Sequence, residues 1–115
     1  MSKRNIKLFL QDISNSIDKI QKYISGLSFD SFKENDLVID AVLRNLEVIG
    51  EAARNIPEDF RSRYSMIPWK RIVAFRNVVI HEYFGVDLEI VWTIVKENLP
   101  ELKEKIELIL NSYDE

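Results

Sequence analysis

The chain has no cysteine at all, which excludes a disulfide framework and any thiolate metal site and is compatible with a reducing compartment. It has a single histidine, His81. No segment approaches the roughly 20 consecutive apolar residues that a membrane-spanning helix needs. The amphipathic start, where Gln11, Asp12, Asp18 and Lys19 interrupt any apolar run, lacks the pattern of a secretory leader. Cytoplasmic residence without a membrane partner is therefore expected. Alternating strand patterns, internal repeats and low-complexity linkers are also missing.

What remains is 115 residues with a formal net charge of −3. That length suits one domain spanning 1–115 with a single core. The mild negative charge argues against indiscriminate nucleic-acid binding, and no DNA partner is expected. Its distribution is uneven. Residues 1–60 carry 8 basic and 10 acidic side chains, and residues 82–115 carry 3 against 9. Between them, residues 61–81 hold Arg61, Arg63, Lys70, Arg71 and Arg76 with no acid. A basic segment of this kind suits an anionic polymer, although a solvated helix face gives the same pattern.

Apolar residues recur at helical spacing almost throughout. Ile6, Phe9, Ile13, Ile17, Ile20, Ile24 and Leu27 predict a long amphipathic helix over about 3–26, ending near Gly26. Ser28 to Asn35 reads as a connection. A second long helix is expected from Asp36 to Ile56, with Leu37, Ala41, Leu46, Ile49 and Ala53 apolar and Pro57 just past its end. Glu58 to Ile67 reads as a looser segment. Pro68 suits the first turn of a third helix reaching about Tyr83, and Asp87 suits the N-cap of a fourth reaching about Asn98. Pro100 either kinks that fourth helix or starts a last one containing Leu102, Ile106, Ile109 and Leu110. The fold class expected is all-α, an antiparallel bundle of four to five helices.

The chemistry gathers in Arg76-Asn77-Val78-Val79-Ile80-His81-Glu82-Tyr83. His81 titrates near neutral pH, and Arg76 offers a fixed fork of donors suited to phosphate. Together they suggest phosphodiester chemistry without a metal. On the third helix Trp69, Ile72, Val73, Val79, Ile80, Tyr83 and Phe84 form an apolar stripe with Arg76 in its middle. A guanidinium placed there must snorkel, pair with a carboxylate such as Glu47 or Glu51, or line a cleft. His81 is turned about 140° from Arg76 on a straight helix, on the side of Asn77. The two converge only if the helix ends or bends near His81, for which Gly85 is a plausible stop, or if a second chain completes the site. Gly50, which costs about 1 kcal/mol relative to alanine inside a helix, points to close helix packing beside Ala52 and Ala53.

The spacing of Arg76, His81 and Tyr83 resembles the signature of the HepT-like toxins, a branch of the HEPN superfamily of helical ribonucleases. The likeness extends to Ala41-Val42-Leu43-Arg44, Ile49-Gly50-Glu51-Ala52-Ala53, Ile67-Pro68-Trp69, Val86-Asp87 and Val91-Trp92, in the same order along the chain. The resemblance implies a HEPN-like bundle and a metal-independent endoribonuclease, with Arg76 and His81 of two protomers facing each other across a homodimer cleft. It makes Asn77 a supporting polar residue. It also makes Tyr83 the acceptor of AMP from a partner minimal nucleotidyltransferase, the antitoxin that silences the toxin. Glu51 is a candidate to position Arg76, which its spacing alone leaves open. No cofactor and no metal are implied.

Cleaving RNA without a metal uses the neighbouring 2′-hydroxyl as nucleophile. One group must remove its proton, another must protonate the leaving 5′-oxygen, and donors must stabilise the pentacoordinate phosphorane. Two His81 side chains and two Arg76 guanidiniums in a dimer would meet this need, with a 2′,3′-cyclic phosphate and a 5′-hydroxyl as products. AMP on Tyr83 would add charge and bulk where the RNA backbone must lie. A non-catalytic helical partner of a nucleotidyltransferase and a structural homodimer with a degenerate site are the competing functions.

Overall fold

In a computed structural model, residues 3–81 and 87–113 are described, with side chains described for 5–77 and 87–112. The elements are α1 (Lys3–Ile24), α2 (Phe29–Lys33), α3 (Asp36–Arg54), α4 (Glu58–Arg63), α5 (Trp69–His81), α6 (Leu88–Thr93), a π turn (Ile94–Asn98) and α7 (Leu99–Tyr113). The fold is all-α, with no strand among the described residues.

The isoleucine ladder of α1 is the spine of the core. Ile13, Ile17 and Ile20 are fully buried together with Leu10, a position between the expected ones. Each such side chain contributes roughly 1.5–3 kcal/mol relative to exposure. Two residues past the end of the helix, Gly26 has a φ of +80°, the left-handed conformation that glycine adopts without a Cβ penalty. The middle of the bundle is α3, which packs against both α1 and α5. Leu46 and Ile49 are fully buried in it, whereas Leu37, expected to be inward, is 81% exposed in the first turn.

On its other side α1 meets α7 through a polar clamp. Ser14 Oγ donates to Glu107 Oε1 at 2.9 Å. Lys103 Nζ lies 2.9 Å from Ser14 Oγ, 2.8 Å from Asp18 Oδ1 and 2.9 Å from Glu107 Oε1. With 14 against 107 and 18 against 103, the two helices run antiparallel.

Two segments expected to be irregular contain single-turn helices. Within Ser28 to Asn35, Ser28 and Ser31 cap each other reciprocally to open α2, a capping box that uses a second serine where glutamate is usual. Phe32 of α2 is fully buried and stacks at 5.0 Å on Trp92. The segment from Glu58 to Ile67 holds α4, anchored by buried Phe60. Beyond it, Asp87 caps α6 as expected, its side chain accepting from the Glu89 and Ile90 backbone amides. Of the two outcomes open at Pro100, the observed one is a distortion within a continuous helical path. Proline lacks the amide and crowds the carbonyl four residues back, and the path widens into the π turn, where the Leu99 amide donates to Ile94 O.

Candidate active site

Helix α5 is fixed at its start by the Ile67-Pro68-Trp69 turn. Trp69 is buried, and its indole N–H donates to the Tyr64 carbonyl at 3.1 Å. The Ile72 amide donates to Pro68 O at 3.1 Å, closing the first turn. Ile72 and Phe75 are buried against the core, and Val73 packs partly buried beside them.

The approach of α5 to α3 is set by Gly50. A Cβ there would meet both the Cβ and the backbone nitrogen of Arg76 at 2.9 Å and the Ile72 carbonyl oxygen at 3.3 Å. The two helices therefore touch backbone to backbone at the position of Arg76, the close packing expected of this glycine. The next residue of α3 is Glu51, and its Oε1 lies 2.7 Å from Arg76 Nε. The same oxygen takes Arg54 Nη1 at 3.3 Å. One carboxylate thus serves two guanidiniums.

Of the three ways to place Arg76, the structure realises the ion pair, and with Glu51. Glu47 lies 3.9 Å from Arg44 instead. The pair sits at the rim of the core, with side-chain exposures of 35% for Arg76 and 40% for Glu51. Contact through Nε fixes one edge of the planar fork, while the terminal nitrogens carry the remaining donors. Among the described residues, Glu51 is the ion-pair partner of Arg76. A cleft of about 260 Å³ opens beside Glu51, and Asp12, Arg44, Glu47 and Asn55 also line it. Arg54 is the member that the motif does not contain. Its place three residues after Glu51, one helical turn, is the signal that could have found it.

Asn77 is exposed and follows Arg76 by about 100° around the helix. Helical backbone continues through His81, the last residue of α5. Along that helix the backbone positions of Arg76 and His81 are about 140° apart, and the stop expected at Gly85 falls outside the described residues. Tyr83 and Gly85 lie outside the described residues, as do the side chains of residues 78–86. Within one chain the structure thus joins Arg76 to Glu51. Among the described residues, no group of three or more His, Cys, Asp or Glu side chains is placed to hold a metal ion, and no helix is long and apolar enough to cross a membrane.

Comparison with known proteins bears on this arrangement. Residues 13–109 match the family model described as "Ribonuclease HepT-like". The chain is 42% identical over 109 residues to "Putative RNase MJ1380" of Methanocaldococcus jannaschii, covering 95% of this chain and 100% of that protein. It is also 42% identical over 105 residues to "Probable ribonuclease HepT" of Thermococcus cleftensis, covering 91% of this chain and 96% of that one. No solved structure gives a significant match.

Proposed function

The chain belongs to the HepT-like ribonuclease family, and on that premise we propose that it is a metal-independent endoribonuclease and the toxin of a toxin–antitoxin pair. The observation that carries the reading is the Arg76–Glu51 pair. A guanidinium held by its Nε edge at 2.7 Å and left at the rim of the core is a preorganised donor for a phosphate's nonbridging oxygens. It lies five residues before the only histidine on the same helix.

The angular separation of Arg76 and His81 supports a homodimer as the active form. Two protomers meeting along α5 supply two histidines, one neutral to take the 2′-hydroxyl proton and one protonated to release the 5′-oxygen. The paired Arg76 guanidiniums then bear on the phosphorane, and Glu51 keeps each of them in place. The products are a 2′,3′-cyclic phosphate and a 5′-hydroxyl. A partner nucleotidyltransferase silences the enzyme by adding AMP to Tyr83, two residues past His81, which brings negative charge next to the RNA path.

The test is incubation of the purified chain with total RNA in excess chelator, with analysis of the fragment ends. Cleavage giving cyclic phosphate and 5′-hydroxyl ends is expected. Intact RNA, or cleavage only on addition of a divalent metal, would favour instead a non-catalytic partner of the nucleotidyltransferase.

A further inference from the structure

The acid-free stretch of the chain folds into a groove that the catalytic proposal leaves unused. Between α4 and the start of α5 lies an open groove of about 680 Å³, lined among others by Arg61, Ser62, Ser65, Lys70 and Arg71. Three cations and two hydroxyls suit a row of phosphate oxygens, since all five side chains donate hydrogen bonds. The acid on its wall, Glu58, stands 3.7 Å from Arg61 Nη2 and is largely exposed.

Lys70 and Arg71 are the informative members. They occupy the first turn of α5, which contains no acidic residue. At that end the helix dipole disfavours cations by roughly 0.3–1 kcal/mol each, so helix stability does not explain them. Both are exposed, and among the described residues neither makes an ion pair or a side-chain hydrogen bond. Arg61 and Arg63, by contrast, stand in the last turn of α4, where the dipole favours them.

The position of Lys70 also connects the groove to the candidate site. Lys70, Ala74, Asn77 and His81 recur at spacings of four, three and four, which puts them within about 60° of one another on α5. Lys70 and Asn77 are exposed and Ala74 is half-buried. Among the described side chains the stripe is open from Lys70 to Asn77, and the helical backbone carries it on to residue 81, about 16 Å from Lys70.

We infer that the groove between α4 and α5 is a binding track for the backbone of single-stranded RNA, with Lys70 and Arg71 gripping phosphates a few nucleotides from the scissile bond at His81. The inference rests on the ribonuclease reading for the nature of the polymer. The contacts are to phosphate, so the track contributes affinity and register without sequence preference.

The test uses a 2′-O-methyl oligoribonucleotide, which lacks the attacking hydroxyl, so binding is read apart from cleavage. Fluorescence anisotropy at several salt concentrations compares the parent protein with the double variant Lys70→Gln/Arg71→Gln and with Lys19→Gln/Lys22→Gln, whose charges lie on exposed positions of α1. The groove variant should bind about tenfold more weakly, with a salt slope shallower by about 1.4, the loss of two phosphate contacts on a single strand. The α1 variant should match the parent. Equal affinity and slope for the groove variant and the parent, or equal losses in both variants, would overturn the track. Cleavage of the unmodified oligoribonucleotide by the parent is scored separately, so failure of the ribonuclease reading is told apart from failure of the groove.

Discussion

Gly50 and Arg76 meet so closely that the hydrogen on the glycine Cα does the work of a spacer: a methyl group in its place would stand 2.9 Å from the arginine's backbone nitrogen. The contact is between two backbones, so neither side yields by rotating a side chain. Glu51 reaches Arg76 Nε at 2.7 Å because α3 and α5 are this near. The orientation of the proposed phosphate donor thus depends on a residue with no functional group.

Gly50→Ala is accordingly expected to lower both stability and activity. Helix propensity would favour alanine by about 1 kcal/mol, but overpacking that shifts backbone costs typically about 1–3 kcal/mol, and the carbonyl of Ile72 at 3.3 Å closes the other escape. Net destabilisation in urea unfolding should accompany a loss of RNA cleavage of about tenfold or more, since misplacement of a catalytic group by an ångström is enough for that. A variant more stable than the parent would show that α3 and α5 separate freely.

Glu51→Gln separates positioning from folding. The pair is half-exposed, so its loss should change stability by less than about 1 kcal/mol. The same exposure sets the expectation for Arg76→Ala. A buried pair would leave an uncompensated charge at about 3–5 kcal/mol, whereas a carboxylate 40% exposed rehydrates and still has Arg54. Both variants should therefore keep their helix content. Arg76→Ala should abolish most cleavage. Glu51→Gln should lower kcat with little change in KM, and equal kcat in Glu51→Gln and the parent would remove Glu51 from the site.

Much of this was legible in the sequence because it depends on local pattern. The isoleucines of α1 fall at spacings only a helix can use, Asp87 precedes its apolar run as an N-cap must, and a glycine amid small residues on a long helix signals a close neighbour. What escaped were features decided by tertiary contact. Helix α2 is a single turn that persists because Phe32 is buried on Trp92, and α4 persists on Phe60, neither long enough to show periodicity. Leu37 obeys the period yet lies beyond the reach of the core. The partner of Arg76 was undecidable between Glu47 and Glu51 by spacing alone, because the choice depends on where α5 crosses α3, and Gly50 sets that crossing.

The clamp between α1 and α7 predicts how stability varies with pH. Hydrogen bonds from Lys103 and Ser14 hold the Glu107 carboxyl below its ordinary value of 4.5. Its contribution is present above that value and lost as pH falls through the lower folded one. For Lys103, partial burial lowers the pKa, but the hydrogen bonds and charges of Asp18 and Glu107 outweigh it and raise the group above 10.5. That contribution is complete below 10.5 and is lost as pH rises through the higher folded value. Lys103→Met should then be less stable than the parent at neutral pH, by less than about 1 kcal/mol because the carboxylates are exposed. The gap should narrow in acid below about pH 4. A gap independent of pH in urea titrations would mean that the alkyl stem of Lys103, and not its charge, holds the helices together.

Mixing protomers tests the two-histidine mechanism directly. If each active site needs one His81 as base and the partner's as acid, a dimer with a single His81→Ala protomer is inactive. Because position 81 lies off the apolar stripe expected of α5, His81→Ala should leave dimer assembly intact, which light scattering checks. After subunits are exchanged at equal proportions, about a quarter of the dimers are wholly parental, so specific activity per total protein should fall to about one quarter of the parent value. If each protomer carried a complete site, half would remain. Activity that declines in simple proportion to the parental fraction would assign both proton transfers to one His81, and a fully active monomer would remove the need for the second chain.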